Sequence, residues 1–180
     1  MAKFPLSKYA SLEMNRAAYL KNGLVRSQTP LSDEFTAAAP CENGMWVDAN
    51  IANQEIKLPA ADTVQYGIVY TTEKEWGRYV YGLKEHFDVA GAYPRVGILH
   101  SGDIFTTNCF DMGDFADLKA FEEAMKALDT TPLYVVPVAG DGRPKGTTAT
   151  KPTSGAYGQV VKYTTVPNGE KAIKYTILEA

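Results

Sequence analysis

The stretch "YGQVVKYTTVPNGEKAIKYTIL", Tyr157–Leu178, carries the strongest structural signal in the chain. β-Branched and aromatic residues alternate with polar residues on both sides of Asn168-Gly169, a pair that tolerates the positive φ of a tight turn. The alternation places Val161, Tyr163 and Thr165 on one side of the first strand. It places Ile173, Tyr175 and Ile177 on one side of the second. The stretch therefore predicts a C-terminal β-hairpin.

Upstream of the hairpin, short runs of β-branched and aromatic residues predict five more strands. They lie in "MWVDANI" (45–51), "TVQYGIVYTT" (63–72), "RVGIL" (95–99), "DIFTTNCF" (103–110) and "LYVVPVA" (133–139). Pro137 indicates that the last of these is an edge strand or contains a bulge. A tight turn from His100 to Asp103 is predicted between the third and fourth. The stretch "EWGRYVYGLKEHF", 75–87, fits a strand or a short helix equally well.

One amphipathic helix is predicted in "DMGDFADLKAFEEAMKAL", residues 111–128. Asp114 is the expected N-cap, with Asp117 three residues later, because acids near a helix N-terminus pair with its free N–H groups and dipole. Apolar residues recur at helical spacing on one face. This face consists of Phe115, Leu118, Phe121, Met125 and Leu128.

These elements together predict a mainly β (α+β) fold, a small antiparallel β-barrel or sandwich with one amphipathic helix, an extended N-terminal arm and a C-terminal β-hairpin. Residues 1–40 are expected to form the arm, and residues 41–180 a β-rich core domain. Between Gly140 and Gly155 the sequence "GDGRPKGTTATKPTSG" is rich in Gly, Pro, Thr and Lys. It predicts a long surface loop at 140–155.

Composition narrows the function classes. The 180 residues are 45% hydrophobic and 22% charged, which is typical of a globular domain. The net charge is −3, and the basic residues are scattered, so no nucleic-acid or membrane partner is expected. The N-terminus lacks a secretory signal pattern, and synthesis in the cytoplasm is expected.

The nucleophiles and bases of the sequence form no catalytic pattern. Cys41, Cys109, His86 and His100 have neither a nucleophile elbow nor a diagnostic spacing. The two cysteines are interpreted as buried thiols and His100 as a turn residue. No catalytic residue, cofactor or metal site is predicted. An enzyme would instead require His100, Asp103 and Cys109 to converge in a pocket.

Three further groups of residues have structural interpretations. Asp111, Asp114 and Asp117 are spaced for helix capping rather than for a calcium loop. In "GDGRPKG" the lysine precedes the second glycine, so the stretch is not a P-loop. Its charged residues Asp141, Arg143 and Lys145 remain candidates for contact with a neighbouring protein. The strand tyrosines are expected to pack on pleated faces: Tyr66, Tyr70, Tyr79, Tyr81, Tyr134, Tyr163 and Tyr175.

Residues 1–35 carry too little apolar surface to fold alone. Ordering the segment costs free energy because conformational entropy is lost. The free energy gained by burying its large side chains is smaller than this cost. These side chains include Phe4, Leu12, Leu31 and Phe35. A short helix from Ser11 in "SLEMNRAAYLKN" would end early at Asn22-Gly23. Three alternatives remain open: the segment lies on its own β core, it becomes ordered on a partner, or it stays loose.

The start "MAKFPLSKYASLEMNRAAYLKNG", the strand "GDIFTTN" and the closing "GQVVKYTTVPNGEKAIKYTIL" resemble small β-rich head proteins of tailed bacteriophages, the decoration or cement proteins. The resemblance implies a non-enzymatic virion protein on the capsid surface. Its implied partners are the major capsid protein and neighbouring copies of itself, a homo-oligomer on the lattice. Repeated weak contacts on a lattice add through avidity, so such a role needs no active site.

Two alternatives accompany this interpretation. The chain is another phage head or tail subunit, such as a connector or tail-tube protein, or it is a small cytosolic ligand-binding or enzymatic β-barrel. The resemblance favours decoration over both.

Overall fold

A computed structural model describes residues 4, 9–12, 25–26, 28–71, 87–148, 151–152, 155–166 and 169–180. Within these residues the strands are β1 (Val25–Arg26), β2 (Trp46–Asp48), β3 (Tyr66–Val69), β4 (Val96–Ile98), β5 (Ile104–Thr107), β6 (Tyr134–Val138), β7 (Asp141–Thr147), β8 (Tyr157–Thr165) and β9 (Lys171–Glu179). A 3-10 helix spans Ile51–Asn53, and the α-helix α1 spans Leu118–Lys126.

The strands form two antiparallel sheets. The four-stranded sheet has the order β1-β4-β3-β2, and the five-stranded sheet has the order β5-β9-β8-β6-β7. The described parts of the two sheets are not closed into a barrel, so the fold is a sandwich-like α+β fold. The prediction of a mainly β (α+β) fold is confirmed, and of its two alternatives, barrel or sandwich, the structure has the sandwich.

The predicted hairpin is formed by β8 and β9. Ile173, Tyr175 and Ile177 are fully buried on one side of β9, as the alternation predicted. The first strand differs, because the register shifts between Val160 and Lys162, and this bulge turns Val160 inward while Val161 is 55% exposed. The prediction that Val161 lies on the same side of the strand as Tyr163 is therefore wrong. Of the turn pair, Asn168 lies outside the described residues, and Gly169 has a φ of 84°.

Helix α1 begins later than predicted. Asp117, not Asp114, is the N-cap, and its carboxylate accepts a hydrogen bond from Ala120 N at 2.8 Å. Asp114 instead accepts a bond from the Thr147 hydroxyl, which draws it towards β7. The apolar face is as predicted: Phe121 and Met125 are buried, and the others of the face pack against the same core cluster.

The predicted long loop at 140–155 is wrong over its first half, where the chain forms β7. This strand pairs with β6, and the pairing shifts between Val136 and Val138, so Pro137 marks the predicted bulge. Glycine makes the strand possible, because a Cβ at Gly146 would lie 2.4 Å from Phe110 Cζ. The inward side of β7 therefore lacks the large apolar residues by which a strand is recognised.

The predicted turn from His100 to Asp103 is present and connects the two sheets. Asp103 N donates to His100 O at 3.1 Å, and His100 N donates to the Asp103 carboxylate at 2.9 Å. Strand β4 before the turn belongs to the four-stranded sheet, whereas β5 after it belongs to the five-stranded sheet.

The described residues among 1–40 pack on the chain's own core rather than extending from it. Phe4 and Leu12 belong to the large cluster around Phe121 and Tyr175. Ala10, Leu31 and Phe35 belong to a second cluster, which centres on the four-stranded sheet. For these residues the structure matches the first alternative, a layer of the same domain, because the core supplies the apolar surface that the segment lacks. Most of "SLEMNRAAYLKN" and of "EWGRYVYGLKEHF" lies outside the described residues.

Segments outside the regular strands pair with the edge strands β5, β2 and β7. Leu12 bridges Thr107 on β5, Lys57 bridges Asp48 on β2, and Asp111 bridges Lys145 on β7. Covered edges prevent strand addition by another chain, which is how β proteins avoid aggregation. Contacts at these covered edges would therefore have to use side chains rather than free backbone groups.

Candidate functional site

A buried ion pair links β7 to the segment before β2. The Arg143 guanidinium donates to Glu42 Oε1 at 2.6 Å, and the two side chains are 12% and 5% exposed. The other oxygen of Glu42 accepts a bond from Ala10 N, so one carboxylate ties three distant segments together. Arg143 is one of the candidates for contact with a neighbouring protein, and in the fold its charge is paired internally with Glu42. Glu42 carried no sequence signal, because its partner is 101 residues away.

A groove of about 250 Å³ opens beside this pair. Apolar residues such as Phe35, Ala38 and Leu58 line it, together with Asp141 and Arg143. The Asp141 carboxylate accepts a hydrogen bond from Arg143 N at 2.9 Å. The charged groups of the groove are thus already engaged in bonds that hold β7 in place.

The two thiols lie in the interior near the ion pair. Cys41 and Cys109 are both buried and not disulfide-bonded, as predicted. Burial raises the pKa of the Cys41 thiol well above its ordinary value, and the nearby acidic groups Asp88, Cys109 and Glu42 raise it further. Since the thiolate is the reactive form, Cys41 is held in its unreactive state at neutral pH.

The three residues of the enzyme alternative do not converge. His100 and Asp103 precede β5, whereas Cys109 follows it, so the four-residue strand separates them by about 13 Å at roughly 3.3 Å per residue. His100 lies at the start of its predicted turn, and its Nδ1 is 3.0 Å from Ile98 O at the end of β4. His86 lies outside the described residues.

The aspartates near α1 and the charged residues of β7 stabilise local structure. Asp111 Oδ1 accepts a bond from Gly113 N at 2.7 Å. Asp114 forms an ion pair with Lys145 at 3.0 Å, and hydrogen bonds from Lys145 and Thr147 lower its pKa. No metal-binding cluster of His, Cys, Asp or Glu occurs among the described residues. Lys145, like Arg143, therefore forms an ion pair within the fold.

The tyrosines in the described strands pack as expected. Tyr175 is fully buried, and its hydroxyl accepts a hydrogen bond from Trp46 Nε1 at 2.9 Å, across the two sheets. Tyr66, Tyr70 and Tyr163 pack against the same cluster as partly buried residues. The rings of Tyr134 and Tyr157 pack edge to face, with their centroids 6.2 Å apart. Tyr79 and Tyr81 lie outside the described residues.

Asn108 holds the N-terminal segment against β5. Its side-chain oxygen accepts a bond from Ser11 N, and Asn108 N donates to Ser11 O at 3.2 Å. Its side-chain nitrogen donates to Glu170 at 2.7 Å, beside the hairpin turn. Sequence reasoning missed Asn108, because a bond to residues 97 and 62 positions away leaves no local pattern.

In the part of the chain that the structure describes, no helix has the length and apolar character needed to cross a membrane. Comparison of the chain with protein-family models, with curated proteins and with solved structures gives no match.

Proposed function

We propose that this chain is a non-enzymatic structural protein of a phage virion, which binds the outside of the capsid lattice and stabilises it. The observation that carries the proposal is the use of buried and half-buried polar side chains as long-range internal links. Glu42–Arg143, Trp46–Tyr175 and Asn108–Glu170 join residues 101, 129 and 62 positions apart. Buried polar networks with bonded partners rigidify a fold and specify one arrangement of it.

A fold that is rigidified by internal polar links suits a protein that must resist mechanical force. A cement protein links neighbouring lattice subunits, so a force that separates them is transmitted through its interior. Links between the first and last thirds of the chain oppose the separation of the two sheets. The partners in this proposal are the major capsid protein and neighbouring copies, with neither nucleic acid nor membrane involved. Each contact can be weak, because many copies bind the same lattice.

Electron microscopy of labelled particles tests the proposal. An antibody against the purified chain would be applied to virions produced from the genome that encodes it, with gold detection and with mass spectrometry of the washed particles. The expected result is regular labelling of the outer head surface. Labelling of the tail or the head–tail junction would support the connector or tail-tube alternative. Recovery of the chain only in the particle-free fraction would contradict a virion role and favour the ligand-binding or enzymatic alternative.

A further inference from the structure

The bulge in β8 places two lysines side by side on the outer side of the five-stranded sheet, of which Lys162 is exposed and Lys174 is half-buried. Lys162 lies directly opposite Lys174 on β9, and Val161, the extra residue of the bulge, is exposed beside them. Tyr175 and Ile173 flank Lys174 on the inner side, so both lysines point away from the core. We refer to Val161, Lys162 and Lys174 as the lysine face.

Within the described part of the chain, no acidic side chain forms an ion pair with the two lysines of the lysine face. Like charges directly opposite each other on paired strands destabilise a sheet. The ion pairs between described residues use the cations Lys126, Arg143 and Lys145, and include neither Lys162 nor Lys174. The neighbouring outward residues Gln159 and Thr164 are uncharged. An approaching carboxylate would relieve this repulsion, so the face is electrostatically complementary to an acidic surface.

The same chain carries such a surface at the other sheet. Asp33, Glu34 and Glu55 are exposed where two segments run side by side, and we refer to them as the acidic corner. Ser32 N donates to Ile56 O at 3.0 Å, and Glu34 accepts a bond from Leu58 N at 2.9 Å. The ion pairs of the described residues leave all three carboxylates unused, and Lys57 nearby joins none of those pairs.

The two surfaces belong to different sheets. The segments of the acidic corner adjoin β2 of the four-stranded sheet, through the bridge from Lys57 to Asp48, whereas β8 and β9 form the lysine face. A contact between two different surfaces of identical chains is heterologous, and it repeats along a row of copies instead of ending at a dimer. With a net charge of −3, copies repel each other in most other orientations.

We propose that neighbouring copies bind head to tail, with the lysine face of one copy against the acidic corner of the next. The proposal rests on the proposed function in one respect, since a lattice holds copies side by side where weak contacts become effective. In solution the same contact is a weak association that depends on salt and concentration.

Sedimentation of the full chain over a range of concentrations measures this contact. At about 0.01 M and about 1 M salt the Debye length is about 30 Å and about 3 Å, so association is expected in the first condition and not in the second. The variant Lys162→Glu/Lys174→Glu and the variant Asp33→Lys/Glu34→Lys are each expected to weaken association about tenfold. A mixture of the two variants restores complementary surfaces, and association should recover.

The control Lys119→Glu/Lys126→Glu makes the same change of charge on the exposed side of α1 and should leave association intact. If the Glu variant of the lysine face misfolds, Lys162→Gln/Lys174→Gln replaces it, with the thermal unfolding curve as the check of folding. A chain that stays monomeric at low salt, or a mixture that associates no better than either variant, overturns the contact. Particle labelling that persists in that case leaves the proposed function standing, and loss of labelling with intact association overturns only the function.

Discussion

At the scale of single residues, Glu42 and Arg143 form an ion pair that is almost completely shielded from water. Glu42→Ala would leave the guanidinium buried without its counter-charge, and such a loss typically costs about 3–5 kcal/mol in the free energy of unfolding. Urea denaturation followed by tryptophan fluorescence measures it. Glu123→Ala, which breaks the exposed pair with Lys126, is the control and should change stability little. Equal effects of the two substitutions would show that Glu42 is not the internal link described above.

Cys41 and Tyr175 give a second prediction, on alkaline pH. Burial raises the pKa of Cys41 above its ordinary value of 9.0 and that of Tyr175 above its ordinary value of 10.0. Above pH 9 the unfolded chain therefore releases protons that the folded chain keeps, and the free energy of unfolding falls as the pH rises. Urea denaturation between pH 7 and pH 11 should show this decline.

Cys41→Ala removes the thiol contribution, so the decline between pH 9 and pH 10 should become shallower in this variant. A decline of unchanged slope would assign the alkaline sensitivity to other groups. At neutral pH the thiol stays protonated in both states, and the pH profile there should be flat with respect to Cys41.

At the scale of elements, the start of α1 depends on one cap. Asp117→Ala removes the side-chain acceptor of Ala120 N and is expected to lower stability by about 1 kcal/mol. Amide hydrogen exchange at Ala120 should become faster in this variant. Asp114→Ala is the matched control, because it removes contacts with Lys145 and Thr147 but leaves the cap intact. If exchange at Ala120 became faster in the Asp114 variant instead, Asp114 rather than Asp117 would be the N-cap.

At the scale of the whole molecule, the described residues near the N-terminus contribute to the core, since Phe4, Ala10 and Leu12 are buried in it. Deletion of residues 1–12 removes the buried Phe4 and Leu12 and uncovers the edge of β5 at Thr107. The two side chains alone contribute on the order of 3–6 kcal/mol through burial, so the truncated chain should unfold at much lower urea concentration and associate through the free edge. Urea denaturation and sedimentation measure the two effects. Unchanged stability would restore the separate arm that the sequence predicted.

The sequence by itself determined the elements whose signals are local. Alternation predicted the β8–β9 hairpin, helical spacing predicted the inner face of α1, and Pro137 predicted the bulge in β6. These signals depend on the geometry of a single strand or helix, which repeats every two or 3.6 residues wherever the element lies. They also fixed the fold class, because a run of short strands with one helix leaves few ways to bury the apolar faces.

Only the tertiary structure decided which distant residues meet. The glycine-rich stretch at Asp141–Thr147 became a strand because β6 was beside it and Phe110 filled the space that a side chain would occupy. Glu42 and Arg143 became an internal link, and Phe4 a core residue, for the same reason. A charge or an aromatic ring is stabilised by the partner that the folded chain brings to it, and sequence neighbours carry no record of that partner.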